Sequence, residues 1–388
     1  MEEMKNVPEI RFGGFKDNWN KKELDDEVDF YSGLTYSPKD VQKESGTFVI
    51  RSSNVKNNQL VEADDVFVNP DIVNSLNVEQ GDIAVVVRNG SRHLIGKHAQ
   101  IKTKLDNTVI GAFMTGLRPK NNSDFVNALL NTQTFQKEIE KNLGATINQI
   151  TTGPFKKMEF FFPEPNEQIV IGDFVKNLNV SIKNHQTQLK KLTNLKKAML
   201  IKMFPQDGAS LPEIRFKGFD GEWEEKSFSN IINLNSGRDY KHLEKGGIPV
   251  YGTGGYMLSV NEALSYDENA IGIGRKGTID KPYILKAPFW TVDTLFYAIP
   301  IGNNDLDFIN CLFQKTNWKQ KDESTGVPSL SKVTINNTCV SIPKENEQKE
   351  IGSYFRTLDS LMENHKEQLK KLNQIKKACL SKLFISQD

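Results

Sequence analysis

Between Pro163 and Phe204 the chain places Ile171, Val175, Leu178, Ile182, His185, Leu189, Leu192, Lys196, Met199 and Met203 alternately four and three residues apart. The same frame returns between Pro343 and Phe384 as Ile351, Phe355, Leu358, Met362, His365, Leu369, Leu372, Lys376, Cys379 and Leu383. The two stretches align without a gap at an offset of 180 and are about half identical. Sustained 4-3 spacing predicts a coiled-coil seam, and a seam is of no use without a partner. The economical partner is the other copy. Asn166-Glu167-Gln168 and Asn346-Glu347-Gln348 read as helix starts, with Asn as the N-cap and an acid in the first turn.

Outside these helices the pattern is one of short strands and turns. Body one predicts strands over 47–51, 82–90, 108–117 and 158–162, with a helix from about Ser123 to Leu143 and a polar loop at 144–149. Body two repeats the order with strands over 270–277, 289–299 and 338–342, a helix near Asp305 to Lys319 and a loop at 324–329. Both read as α+β bodies with the helix late. Each body also opens on the same words. Val7-Pro8-Glu9-Ile10-Arg11-Phe12, running to Trp19, returns as Leu211-Pro212-Glu213-Ile214-Arg215-Phe216, running to Trp223, an offset of 204. Because the offset falls from 204 to 180, the second body is 24 residues shorter than the first. One unit is therefore present twice, with a shared frame and divergent bodies.

Connectivity orients the helices. Only six residues, 205–210, separate the first helical stretch from the second body's opening, so that body begins beside the end of helix one and leads into the start of helix two. An antiparallel pair brings those two ends together and predicts a pseudo-two-fold dumbbell. His185 and His365 then meet near its centre, either as a tolerated polar layer or as a register lock that penalises slipped pairings. A helix of about 36 residues spans about 54 Å at ~1.5 Å per residue.

Composition narrows the function. The 37% of apolar residues supply a folded core. No apolar run nears the roughly 18 residues of a membrane helix, and the start Met1-Glu2-Glu3 is unlike a signal peptide, so a cytoplasmic protein without a membrane partner is expected. Cys311, Cys339 and Cys379 form no CxxC and are expected as core or seam thiols, with neither a disulfide framework nor a metal site. Net charge is only +1, yet the helical stretches carry +4 and +3, which leaves −6 elsewhere. Any polyanion-binding side chains on the bodies must then be gathered on one face.

Two phosphate-binding look-alikes fail on their context. Gly272-Ile273-Gly274-Arg275-Lys276-Gly277 matches GxGxxG, but Pro282 and β-branched residues oppose the helix such a site needs; the stretch from Gly90 to Gly96-Lys97 has the wrong glycine spacing, and His98 stands where Ser or Thr would bind magnesium. Both segments read better as tight turns that bring Arg, Lys and polar side chains close to a ligand, where Arg pairs with guanine edges or phosphates. No Asn-Pro-Pro-aromatic tetrapeptide is present, since Asn69-Pro70 continues with Asp71, and no motor phosphate loop is present either.

The paired Pro-Glu-Ile-Arg-Phe openings, the Gly274-Arg275-Lys276-Gly277-Thr278 turn, Thr325-Gly326-Val327-Pro328-Ser329-Leu330, and the Leu-Lys-Lys-Leu and Lys-Lys-Ala helix words occur here in order and largely in duplicate. In this the chain resembles the specificity subunit of type I restriction-modification systems over nearly its whole length. The resemblance implies an α+β architecture in which two α/β target recognition domains, 1–162 and 213–342, are separated by an antiparallel coiled coil of two long helices, 163–204 and 343–388, with a linker at 205–212. It implies recognition of a bipartite, asymmetric double-stranded DNA site, with no catalytic residue and no metal in this chain. Methyltransferase subunits, two of them expected, and restriction or translocase subunits are the implied partners, and S-adenosylmethionine, ATP and Mg are expected on those partners. The candidate DNA contacts are Arg51, Ser53, Asn54, Arg88, Asn89, Ser91, Arg92, Lys97, Thr146, Asn148 and Gln149 in body one. In body two they are Tyr251, Thr253, Arg275, Lys276, Thr278, Thr325, Ser329 and Lys332. The loop 144–149 departs from its counterpart in lacking Val-Pro-Ser. The rival reading is an assembly scaffold whose bodies bind protein, with the coil as a rod.

Overall fold

A computed structural model describes residues 6–43, 45–144, 148–206 and 208–386. The chain divides into two compact units, one of residues 1–184 with 368–388 and the other of residues 185–367. Each takes part of both long helices, Pro165–Lys202 and Glu345–Lys382.

In the first unit a sheet runs in the order Val28–Ser32, Met114–Pro119, Ile83–Val86, His98–Gln100, antiparallel throughout. A second sheet runs Thr108–Ile110, Thr47–Ile50, Val66–Val68, Val41–Gln42, its first pair parallel. The second unit repeats the plan. Ile232–Ser236, Leu295–Pro300, Ala270–Gly274 and Tyr283–Leu285 form the antiparallel sheet, and Gly255–Val260, Lys245–Gly252 and Trp290–Thr291 form the smaller one.

The long expected strands over 108–117 and 289–299 each divide in two, and the reason is a change of sheet. Met114 N–H bonds to Gly111 O at 2.8 Å and Leu295 N–H to Val292 O at 2.9 Å, turns that carry the chain from the smaller sheet to the larger. Gly33 and Gly237 let a neighbouring strand pass these turns, since a Cβ at either would lie 2.0 Å from the carbonyl oxygen of Gly111 or Val292. The expected helix from Ser123 to Leu143 is also two, Ser123–Leu129 and Gln133–Asn142. Thr132 makes the break: its hydroxyl donates to Leu129 O and accepts from Phe135 N–H, capping the second piece. A short helix, Thr152–Lys156, precedes the last strand Glu159–Phe162, in a stretch for which no element was expected.

The repeated opening words are clasps between helix ends. In the first unit Arg11 donates from Nε and Nη2 to Glu167 in the first turn of the first long helix, both at 2.7 Å. Ile10 N–H bonds to Lys382 O, at the tail of the second long helix, at 3.0 Å, and Lys382 pairs with Glu9. The second unit does the same with Arg215 and Glu347 at 2.7 Å, Ile214 N–H to Lys202 O at 2.8 Å, and Lys202 with Glu213 at 2.6 Å. Each helix tail then plugs an aromatic core. Phe384 packs on Trp19 and Phe125, and Phe204 packs on Trp223 and Phe308. Antiparallel packing of the helices is visible inside each unit, where Val175 shares a core with Cys379 and Leu383, or Lys196 pairs with Asp359 at 2.6 Å.

Asn166 and Asn346 are not N-caps. The helices begin one residue earlier, at Pro165 and Glu345, and Glu167 and Gln168 donate their N–H groups back to Glu164 O, as Glu347 and Gln348 do to Lys344 O. Proline, with its fixed φ and no N–H, suits the first helical position of the first helix. The seam keeps the expected 4-3 frame, with its central positions half-buried as a two-helix coil requires. His185 Nδ1 and His365 Nδ1 lie 2.9 Å apart within the second unit. Of the cysteines, Cys311 is in the core and Cys379 on the seam, but Cys339 is exposed on an edge strand, against the expectation of three core or seam thiols. Among the described residues no helix is long and apolar enough to cross a membrane.

Candidate nucleic-acid interface

The turn after Ile83–Val86 and the loop before Thr152–Lys156 cross in the first unit. Ile150 N–H bonds to Val87 O at 2.9 Å and Asn89 N–H to Asn148 O at 3.2 Å, bracketing an isolated antiparallel bridge between Arg88 and Gln149. The second unit builds the same crossing. Leu330 N–H bonds to Arg275 O at 3.0 Å and Gly277 N–H to Pro328 O at 2.8 Å, around a bridge between Lys276 and Ser329. Backbone register thus matches Arg88 with Lys276, not with Arg275, and Gln149 with Ser329.

Around the first crossing several candidate side chains are consumed in holding the turn. Asn89 donates to Ser52 Oγ at 3.1 Å and accepts from Ser91 N–H, Asn148 donates to Gly90 O at 2.9 Å, and Arg92 donates to Gly144 O at 3.2 Å. Ser91 Oγ shares a hydrogen bond with His93 Nδ1 at 3.1 Å. Asn54 is removed from the contact set: it is 1% exposed, and its amide accepts from Arg51 N–H and donates to Asp65 at 2.7 Å. Such a buried amide, fully used inside the fold, costs too much to strip for a ligand. Thr146 lies outside the described residues.

Arg51 and Ser53 line a cleft of about 690 Å³ beside the crossing, together with Tyr36, Asn89 and Phe113. Arg51 donates from Nη2 to Asp64 O, while its Nε is buried without a partner among the described residues. Phe113, half exposed at the cleft mouth, carries the Arg88 guanidinium 5.1 Å from its ring centroid. Lys97 is exposed at the far end of the same strand connection.

In the second unit the hairpin of Lys245–Gly252 and Gly255–Val260 brings Thr253 up to the crossing, where a Cβ on Gly277 would sit 3.9 Å from Thr253 Oγ1. Tyr283 fixes that hairpin by donating to Gly252 O at 2.7 Å, and burial pushes its hydroxyl above the usual tyrosine range. Tyr251 packs against Tyr256 and Tyr283, so its ring serves the hairpin. Arg275 and Lys332 both lie over the Phe296 ring, at 5.9 and 6.0 Å from its centroid. Thr278 is half-buried behind the turn, and Thr325 is exposed on the loop.

Residue-by-residue reading missed Asp322 and Phe113. Asp322 Oδ1 accepts from the N–H groups of Ser329 and Ser324 at 2.9 and 3.0 Å, and these bonds hold its carboxyl below the usual carboxylate range while shaping the 324–329 loop. Asp-x-Ser is the sequence signal of such a turn. Phe113 gave no signal, since a lone aromatic after a strand usually belongs to the core. No cluster of three or more metal-ligating side chains occurs among the described residues.

Two stretches, 16–194 and 220–374, match the family model described as the type I restriction modification DNA specificity domain. The chain belongs to that family. It carries two copies of the specificity domain, the part of a type I system that selects DNA and is not itself an enzyme. Among curated proteins it is similar to the type I restriction enzyme StySPI specificity subunit of Salmonella potsdam, 24% identical over 153 residues, which is 38% of this chain. The match spans about a third of that relative's length, 33%. Among solved structures it is similar to the crystal structure of the type I restriction-modification system S subunit from M. genitalium, with a TM-score of 0.75, 20% identity, and coverage of 98% of this chain and 100% of that one. This likeness establishes the shared fold, including the two bodies and the two long helices.

Proposed function

We propose that this chain is the target-selecting subunit of a type I restriction-modification complex in the cytoplasm, that its two bodies read the two halves of a bipartite, asymmetric double-stranded DNA site, and that partner chains perform the chemistry. The observation that carries this reading is the crossing built twice on one backbone pattern with different side chains, Arg88 and Gln149 against Lys276 and Ser329. Identical frames with unlike contact groups suit two different half-sites. Two methyltransferase subunits would dock on the paired helices, with restriction or translocase subunits joining them. S-adenosylmethionine, ATP and Mg would reside on those partners.

The test is co-expression with the methyltransferase subunit followed by genome-wide mapping of methylated sites. A split, asymmetric motif is the expected result. Absence of any motif from an assembled, stable complex would refute the reading and favour an assembly scaffold. Salt separates the two as well, because phosphate neutralisation weakens DNA binding steeply as salt rises, whereas a buried apolar protein interface responds little. The helices would act as a spacer. Removing one matched heptad from each, about 10 Å of helix, is expected to shorten the unspecified gap by about three base pairs of ~3.4 Å each, leaving both half-sites unchanged.

A further inference from the structure

The hydrogen bonds around each crossing define the kind of bridge it is. When residue i+1 donates to j−1 and j+1 donates to i−1, residues i and j are the non-hydrogen-bonded pair of an antiparallel ladder. Asn89 to Asn148 and Ile150 to Val87 satisfy this for Arg88 and Gln149; Gly277 to Pro328 and Leu330 to Arg275 satisfy it for Lys276 and Ser329. In such pairs the Cα atoms approach to about 4.5 Å and both side chains leave the same face side by side. That spacing is close to the ~3.4 Å rise between stacked base pairs, so two neighbouring side chains fall on two neighbouring bases.

The pairs also stand apart from their surroundings in what they have left to give. Among the described residues, no hydrogen bond or ion pair engages the side chains of Arg88, Gln149, Lys276 or Ser329, although Asn89, Asn148, Ser91 and Arg92 around them are spent on the fold. The Arg88 guanidinium carbon lies over the Phe113 ring, 5.1 Å from its centroid, a cation–π contact that restrains the side chain and lowers the entropy lost when it binds.

Resting on the proposed function, we infer that each bridge pair is the base-reading head of its unit, with Arg88 addressing a guanine and Gln149 the adjacent adenine of one half-site. Arg matches the O6 and N7 acceptors of guanine, and Gln matches the N6 and N7 pattern of adenine. Lys276 and Ser329 read the equivalent step of the other half-site with fewer fixed hydrogen bonds, since an ammonium is a point donor and a hydroxyl pairs with any base edge.

The test moves one head into the other frame. In the full complex, methylation motifs are mapped for the wild type, for Arg88→Lys with Gln149→Ser, and for the reciprocal Lys276→Arg with Ser329→Gln; thermal melting of each chain establishes that it folds. The expected result is altered base preference at two adjacent positions of one half-site, a different half-site for each variant, with discrimination at those positions changed about 10- to 100-fold and the remaining motif intact. A motif unchanged in both variants, or one retained whole with evenly reduced methylation, would mean phosphate or structural roles and would overturn the inference. Should one pair fail to fold, the reciprocal pair and the single Arg88→Ala decide it by the same criterion. A wild-type complex without any split motif would instead bring down the proposed function itself.

Discussion

Replacing the clasp arginines tests how the two units differ within one frame. Arg11 and Arg215 each hold a carboxylate whose side chain is only 2% exposed, through two hydrogen bonds of 2.7 Å. Removing one partner of such a pair strands a buried charge and costs about 3–5 kcal/mol. Both guanidiniums are partly open to solvent, so the lower end, about 3 kcal/mol, applies to Arg11→Met. The second unit should suffer more. Glu167 keeps a hydrogen bond from Trp19 Nε1 at 3.2 Å, whereas Trp223 Nε1 is buried and has no partner among the described residues, and Glu347 loses both hydrogen bonds from Arg215 together. A hydrogen bond to a charged group contributes about 1.5–3 kcal/mol, so Arg215→Met is expected to cost about 1.5–3 kcal/mol more than Arg11→Met.

Hydrogen exchange read by mass spectrometry on peptides covering 6–19 and 210–223 reports each clasp separately within the full chain. The double variant Arg215→Met with Glu347→Gln should recover about 2 kcal/mol of the loss by discharging the stranded carboxylate. Equal losses in the two units would remove the role assigned to Trp19. A double variant no better than Arg215→Met alone would show that packing, and not the buried charge, sets the cost.

The buried His98 makes stability of the first unit sensitive to acid. Burial is the main cause that drives its imidazole down to about 4, while Gly96 O and the Asn131 amide engage its two nitrogens. The fold holds the neutral form, so this contribution is complete above the ordinary value of about 6.5 and is lost as pH falls from there to about 4, about 3 kcal/mol in all. Urea unfolding of wild type and His98→Gln across that window should converge as pH drops, and parallel curves would exclude it. Gly172→Ala and Gly352→Ala would place a Cβ 2.4 Å from Asn122 Oδ1 and 2.0 Å from Asp305 Oδ1, the caps of the neighbouring body helices. Losing a cap and overpacking should outweigh the ~1 kcal/mol gain in helix propensity, for a net loss of about 1–3 kcal/mol by thermal unfolding; a raised melting temperature would contradict this. His185→Leu is expected to leave the chain folded but loosen the seam register, read by cysteine cross-linking across the helices, and a single unchanged register would dismiss the lock.

Local rules carried the long helices, because a 4-3 frame repeated in two copies has few other solutions. Local rules also rejected the GxGxxG look-alike, which lies on the strand Ala270–Gly274 and its turn. What stayed hidden depended on residues far apart in sequence. The Pro-Glu-Ile-Arg-Phe words were visible as repeats, but their role is written in Glu167, 156 residues beyond Arg11. The divided strands were concealed because each half is strand-like and the interruptions, Gly111-Ala112 and Asp293-Thr294, are short, so only the glycine contacts mark the crossing point. At the candidate site the sequence showed only that Arg88 and Arg275 each lie near glycine in a tight turn. Backbone hydrogen bonds align Arg88 with Lys276.

That alignment also locates the length difference between the bodies. The offset between matched residues is 204 at Gly33 and Gly237, 188 at Arg88 and Lys276, 181 at Met114 and Leu295, and 180 at Gln149 and Ser329. Sixteen of the 24 residues missing from the second body are therefore lost between the glycine crossing and the bridge, where the first body builds its smaller sheet and the Arg51 side of its cleft. The clasps, the helix-facing glycines and the aromatic plugs lie outside that interval and are matched in both units. Divergence free to fall anywhere would have struck these helix-end contacts too. Its concentration beside the bridge means that the helix ends set one requirement for both bodies, while the surface next to Arg88 and Lys276 answers to two different ones.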